Sequence, residues 1–246
     1  MPCLFCKEER PLTREHVLPN WLSELYPNET LVINKFVGGS NQEWSSKIFQ
    51  HKLRGVCETC NGGWMAKLEA EVKPIFIKLY NLESVTIYER SQNLLAFWAQ
   101  KSILMLNHSI PGGLKITQDM FDDLYKNKSV SKKALVSLGW RLKHKGSKNE
   151  PIASFTIRQI PSVDVPKNLY GKIKEMQAGG GFIWRATMAI GPVVFELAGH
   201  NMKILLEIGT DNQTLKIIRP FQGDIKWPIE WPIEAVGGLD SLSKSI

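Results

Sequence analysis

Apolar residues recur at three- and four-residue intervals in two stretches of the chain, and that spacing predicts helices. Over 91–107, Leu94, Leu95, Phe97, Trp98, Ile103, Leu104 and Leu106 cover most of a helical circumference, so this helix is expected to be buried on nearly all sides. Trp64, Leu68 and Val72 repeat at every fourth position, with Lys67, Glu69 and Glu71 elsewhere, and predict a second helix from about Gly62. Pro74 lacks an amide hydrogen and is expected to end or kink that helix before the apolar residues 75–80. A shorter helix is expected over 20–26, between Pro19 and Pro27, with Asn20 as its cap. Thr117 is placed to cap another over 118–127.

Beyond residue 127 the pattern becomes strand-like. The runs 134–142, 152–160, 182–190, 193–198, 203–208 and 214–218 are apolar or alternating, and most are separated by turns containing Gly, Asn or Pro. Upstream, Leu31-Val32-Ile33 and 44–49 are strand candidates about a turn at Gly38-Gly39-Ser40-Asn41. The end segment Trp227-Pro228-Ile229-Glu230-Trp231-Pro232 reads as extended chain packed on the core. Helices followed by strands predict an α+β fold with a mostly antiparallel sheet. The texture changes near residues 80–90, which divides the chain into 1–80 and 81–246.

The 246 residues are 43% hydrophobic and 22% charged, ordinary values for a soluble fold. No apolar run approaches the roughly 18–20 residues of a membrane-spanning helix. The first ten residues lack the basic start and apolar core of a secretory signal. A cytoplasmic protein with no membrane partner is expected. The net charge is +7. Between Asp123 and Glu150 there is no acidic residue, yet Lys126, Lys128, Lys132, Lys133, Arg141, Lys143, Lys145 and Lys148 fall there, with Trp140 and His144 among them. Such a run is either an ordinary solvated face or a contact for phosphates, with Lys132, Lys133, Arg141 and Lys143 as its candidates. Gly179-Gly180-Gly181 lacks the Lys-Ser/Thr of a phosphate loop and reads as a turn.

The four cysteines fall in two Cys-x-x-Cys pairs, Cys3/Cys6 and Cys57/Cys60. One such pair could be a redox motif. Two, with no cysteine left over, favour a tetrahedral zinc site, closed by sulfur and therefore structural. That ion would join the two ends of the first sixty residues and bring Glu15-His16 near Asn61, the residue after the last cysteine. A carboxylate and an amide oxygen suit a hard cation such as Mg²⁺, which takes few protein ligands and keeps water and phosphate in its shell. His16 has the pKa range of a general base near neutral pH. On a strand, Glu15 and His16 would project to opposite faces.

The motifs Glu15-His16-Val17-Leu18-Pro19 and Arg54-Gly55-Val56-Cys57-Glu58-Thr59-Cys60-Asn61 resemble the HNH superfamily of ββα-metal nucleases, in particular recombination endonuclease VII-like proteins. The resemblance covers about residues 1–70. It implies a zinc-stapled ββα-metal domain over 1–80, followed by the α+β unit 81–246, with Zn²⁺ on Cys3, Cys6, Cys57 and Cys60. It further implies a catalytic Mg²⁺ or Mn²⁺ on Glu15 and Asn61, with His16 as general base. Two departures stand out. Many members have His where Asn61 stands, and the middle Asn of the pattern has no clear counterpart, leaving Asn34, Asn41, Gln50 and His51 as candidates.

The activity implied is one-metal hydrolysis of phosphodiester bonds in DNA, duplex first; Arg54 or Lys52, just before the second cysteine pair, is either a clamp for a phosphate oxygen or ordinary solvent-exposed surface. Such a site cuts one strand per engagement, so a double-strand break needs a homodimer or rebinding, and otherwise the enzyme is a nickase. Anti-phage defence, with a partner from such a system, is the setting in which these nucleases commonly appear. Two alternatives stand beside this reading: a zinc-stapled DNA-binding protein without activity, and an enzyme that cleaves RNA.

Overall fold

The computed structural model describes residues 1–25, 51–110, 112–142, 153–160, 180–201 and 214–233, the backbone of 30–37 and 40–47, and isolated helical positions between 171 and 178. It is a mixed α and β structure with mostly antiparallel sheets, as an α+β chain requires. Strand β1 (Leu12–His16) is followed by a single turn of helix, α1 (Leu22–Leu25), and by strands β2 (Thr30–Val37), β3 (Ser40–Lys47) and β4 (Lys52–Cys57). A π-type turn (Cys60–Met65) then runs into helix α2 (Ala66–Tyr80). Strand β5 (Val85–Ile87) and helices α3 (Glu89–Ser109) and α4 (Gln118–Asn127) complete the helical part. The remaining strands are β6 (Ala134–Trp140), β7 (Ala153–Ile160), β8 (Ile183–Ile190), β9 (Val193–His200), β10 (Leu215–Arg219) and β11 (Ile225–Trp227).

The structure corrects several expectations. Pro74 does not end α2, which continues to Tyr80. A proline inside a helix costs about 3 kcal/mol, but Phe76 and Leu79 are fully buried beyond it. Burying two such side chains contributes about 1.5–3 kcal/mol each, enough to hold the helix together. Ser40 and Asn41, expected in a turn, belong to β3. The helix expected over 20–26 is ordered as Leu22–Leu25. Thr117 occupies the N-cap position of α4 but makes no side-chain cap bond. The strand expected at 203–208 lies outside the described residues.

The main sheet has seven strands in the order β10-β6-β9-β8-β7-β2-β3. Every pairing is antiparallel except β2 with β7, where Leu31 lies opposite Ala153. Residues from before position 50 therefore complete a sheet otherwise built from beyond position 130. One face carries Phe155, Met188, Phe195 and Leu138, with Phe195 edge-on to Trp98 of α3 at 5.7 Å. Alternation places Ser137, Thr156, Thr187 and Glu196 on the other face, all buried. The main core cluster reaches from Cys3 to Ile229 and includes nearly all of one side of α3, and a small second one joins Ala189, Val194, Leu215 and Ile233. Among the described residues no helix is long and apolar enough to cross a membrane.

The pair β1–β4 lies outside this sheet and positions the candidate site. It is antiparallel, with Leu12 opposite Cys57, Glu15 opposite Leu53 and His16 opposite Lys52; a bulge sits between Thr13 and Arg14. Leu4 packs against Gly55 of β4: a Cβ there would come within 2.8 Å of Leu4 Cδ1 and push that side chain aside, and Leu4 N–H donates to Gly55 O at 2.9 Å.

Candidate functional site

The two cysteine pairs converge. All four sulfurs lie within 4.8 Å of one another, Cys6 Sγ is 3.6 Å from Cys57 Sγ, and Cys3, Cys57 and Cys60 are buried. A tetrahedral ion with Zn–S bonds of about 2.3 Å needs sulfurs about 3.8 Å apart, so the four thiols form a cluster able to hold a metal ion such as zinc. Cys57 closes β4 and Cys60 opens the helical turn, while Cys3 accepts a hydrogen bond from Cys57 N–H at 3.4 Å. Lys7 follows the first pair in the left-handed region at φ 65°, which lets the chain turn back. Burial acts to raise the Cys3 thiol, but backbone N–H groups of Cys57, Cys6 and Phe5 outweigh it and bring the pKa down to about 7. Burial pushes Cys6 and Cys60 up. Phe5 packs edge-on against Trp64 at 5.2 Å and against Phe121 at 5.6 Å, tying the first pair to the helices.

The second constellation begins one residue past the cage. The Asn61 amide donates to Thr13 Oγ1 at 3.2 Å, and Thr13 Oγ1 donates to Val56 O at 2.9 Å, so the helix start is hydrogen-bonded to the strand pair. Glu15, two residues on, is only 8% exposed. Burial raises its carboxyl to about 7; the Lys101 ammonium opposes this, Glu69 reinforces it, and a hydrogen bond from Asn61 opposes it again. Glu15, Asn61, Glu69 and Lys101 therefore form one neighbourhood drawn from β1, the π-type turn, α2 and α3. Carboxylate and amide oxygens are the donor types that a hard divalent cation takes; here the Asn61 amide donates to Thr13 and Glu69 is paired with Lys101.

His16 projects away from Glu15 and is only partly buried. Its pKa is lowered by burial and by Lys52, with Glu69 opposing, which keeps the imidazole neutral and able to accept a proton. The register places Arg14 opposite Arg54 and His16 opposite Lys52 on one outward strand face, and Arg14, Lys52 and Arg54 are all exposed. His16 therefore shares its strand face with three cations.

The other expected contacts are dispersed. Lys132 and Lys133 precede β6 and Arg141 follows it, so a seven-residue strand of about 23 Å separates them. Lys133 is paired with Asp119, and Arg141 Nε donates to Gly191 O at 2.9 Å. Lys128 lies over the rings of Trp64 and Tyr125 at 4.9 and 4.1 Å. Lys143 lies outside the described residues, as do Gln50 and the side chains of Asn34 and Asn41. Of the candidates for the middle position, His51 is placed beside β1. Its carbonyl accepts from Val17 N–H at 3.0 Å, and its Nε2 is buried with no hydrogen-bond partner among the described residues.

Sequence reasoning missed Glu69 and Lys101 as members of this site. In the sequence Glu69 reads only as part of the polar side of α2. Lys101 carries a signal, since it interrupts an otherwise apolar run in the most buried helix, where a lysine needs a partner. A scan against protein-family models gives no match, and searches of curated proteins and of solved structures find none either.

Proposed function

We propose that the chain is a metal-dependent phosphodiesterase of the HNH type that cuts DNA, with residues 1–80 as its zinc-stapled ββα unit. The observation that carries this reading is the pairing of an exposed face, with His16 among Arg14, Lys52 and Arg54, with the buried carboxyl of Glu15 and the half-buried amide of Asn61 behind it. The three cations attract and orient a phosphodiester. His16, held neutral, takes the proton from the attacking water. Glu15 and Asn61 would hold the divalent ion, which when bound stabilises charge on the phosphate and leaving oxygen. Zn²⁺ on Cys3, Cys6, Cys57 and Cys60 fixes the strand pair to the helix start, so Asn61 keeps its place opposite Thr13. Hydrolysis of one strand per engagement makes the single chain a nickase, with a homodimer needed to cut both strands. A role in defence against phage follows only from the company such nucleases keep.

One observation favours the inactive, DNA-binding alternative: Lys101 already supplies a cation to the carboxylate pair. Incubating supercoiled plasmid with the protein and Mg²⁺ or Mn²⁺ separates the two. Nicked circles that disappear with EDTA are expected. Intact plasmid under both metals, with DNA still retarded in a gel, sinks the hydrolase and leaves the binder. Parallel incubation with single-stranded RNA tests whether the substrate is RNA instead.

A further inference from the structure

Lys101 is the most unusual charge in the described molecule. It lies in the middle of α3, its side chain is 0% exposed, and its Nζ is 2.7 Å from Glu69 Oε1. An ammonium taken out of water at that depth is costly unless it is paired, and a bare ion pair rarely offsets the desolvation of both partners. Glu69 is the only carboxylate within salt-bridge distance among the described residues, and Glu15 feels both charges. The pair therefore does not stand alone in the core. It stands beside Glu15, one of the two residues that would hold the divalent ion. Lys101 cannot itself touch a phosphate, because it has no exposed surface; whatever it does, it does through Glu69 and Glu15.

The charges decide what that is. With both carboxylates ionised, as a bound cation would require, Glu15 and Glu69 with Lys101 sum to −1, which attracts a divalent cation, and the loaded site sums to +1, which suits a phosphodiester. Without Lys101 the same ionised carboxylates would sum to −2 and the loaded site would be neutral. Metal would then be held more tightly and substrate less well. We propose that Lys101 is a positioning residue of the hydrolytic site: from α3 it holds the Glu69 carboxylate beside Glu15 and keeps the metal-loaded site net positive. This inference rests on the phosphodiesterase reading, and it makes a residue of the 81–246 segment part of a site whose motifs all lie within residues 1–80.

The test uses the full zinc-loaded chain and two readouts, Mn²⁺ binding by calorimetry and nicking of supercoiled plasmid, for wild type, Lys101→Met, Lys101→Arg and Glu69→Gln. Removing a charge this close to a divalent ion is expected to move Mn²⁺ affinity by about tenfold. Lys101→Met is expected to bind Mn²⁺ about tenfold more tightly and yet to nick more slowly. Glu69→Gln is expected to bind it about tenfold more weakly. Lys101→Arg keeps the charge and is expected to keep both values within a few-fold of wild type. A structural role alone would shift both variants the same way, together with their melting temperatures. Affinity that falls in both variants, or that stays at the wild-type value in both, overturns the proposal while leaving a nicking wild type as a hydrolase. A wild type that neither binds Mn²⁺ nor nicks overturns both readings together. Glu69→Gln is nearly isosteric, so its binding value remains decisive if Lys101→Met fails to fold.

Discussion

The four-cysteine cage and the Glu15 site stand at the two ends of one strand pair, and they are built in opposite ways. The cage consists of four identical groups within 4.8 Å, all drawn from residues 3–60 and tied to the chain by backbone hydrogen bonds. The Glu15 site consists of unlike groups from β1, the π-type turn, α2 and α3, and it needs residue 101 to balance its charge. A site of identical ligands is complete in itself, and its failure is a failure of folding. A site of unlike groups is assembled by folding, so its failure can leave the fold intact.

That contrast can be broken most forcefully at the cage. Cys60→Ser, or prolonged chelation of zinc, is expected to unfold the β1–β4 and α2 region, since apparent binding energies of structural zinc in small peptides are about 10–16 kcal/mol. Circular dichroism and zinc content measured together check this. A melting temperature unchanged after complete zinc removal would show that the cage is dispensable.

His16→Ala should behave in the opposite way. Nicking is expected to fall by about 10²–10⁴, while the melting curve stays where it was, because the side chain is partly exposed and lies on the outward strand face. Equal loss of stability and activity would return His16 to the framework.

A smaller effect is expected on the outward face. Reversing Arg14 and Arg54 to Glu should weaken binding to duplex DNA and lower the slope of log affinity against log salt by about 1 for each phosphate no longer engaged. The same changes at Lys133 and Arg141, which already have partners within the protein, should leave the slope as it is.

The smallest effect lies in neither region and serves as their control. His200 is fully buried, and its pKa is lowered by burial and by Lys133, with Asp119 opposing. The fold therefore prefers the neutral ring. Its contribution is complete above the ordinary value of 6.5 and is lost as the pH falls from there through the lowered value, because the unfolded chain takes up the proton first. His200→Gln should flatten the fall in melting temperature across that window without changing zinc content or nicking. A variant that melts with the same pH profile as wild type would remove His200 as a cause.

How much of this could be read from the residues differs between the two sites for a physical reason. Identical ligands two positions apart are a local pattern, so the cage was legible in full. That Glu15 and Asn61 come together was legible through their order about the cysteines. Glu69 and Lys101 were not, because their meaning depends on how α2 crosses α3, and no local spacing encodes a crossing. The same division runs through the fold. Helix α3 and the start of α4 were plain from periodicity and a capping residue. Pro74 misled because its local cost is outweighed by the burial of Phe76 and Leu79. The pairing of β2 with β7 has no local trace at all, since its partners share neither a turn nor a charge pattern.

That pairing has a consequence for how the protein is made. Leu31 finds Ala153 roughly 120 residues later in the chain, a loop whose closure is entropically expensive and slow. During synthesis the cysteines, Glu15 and His16 leave the ribosome early and can collect zinc at once. Helix α3 follows well before the strand that must seat the inserted hairpin. The segment joining β1 to β4 thus waits, unanchored, until more than half the polypeptide has emerged. A nascent chain therefore carries all four cysteines of the cage, with Glu15, His16 and Asn61, before the strand that pairs with β2 has been made.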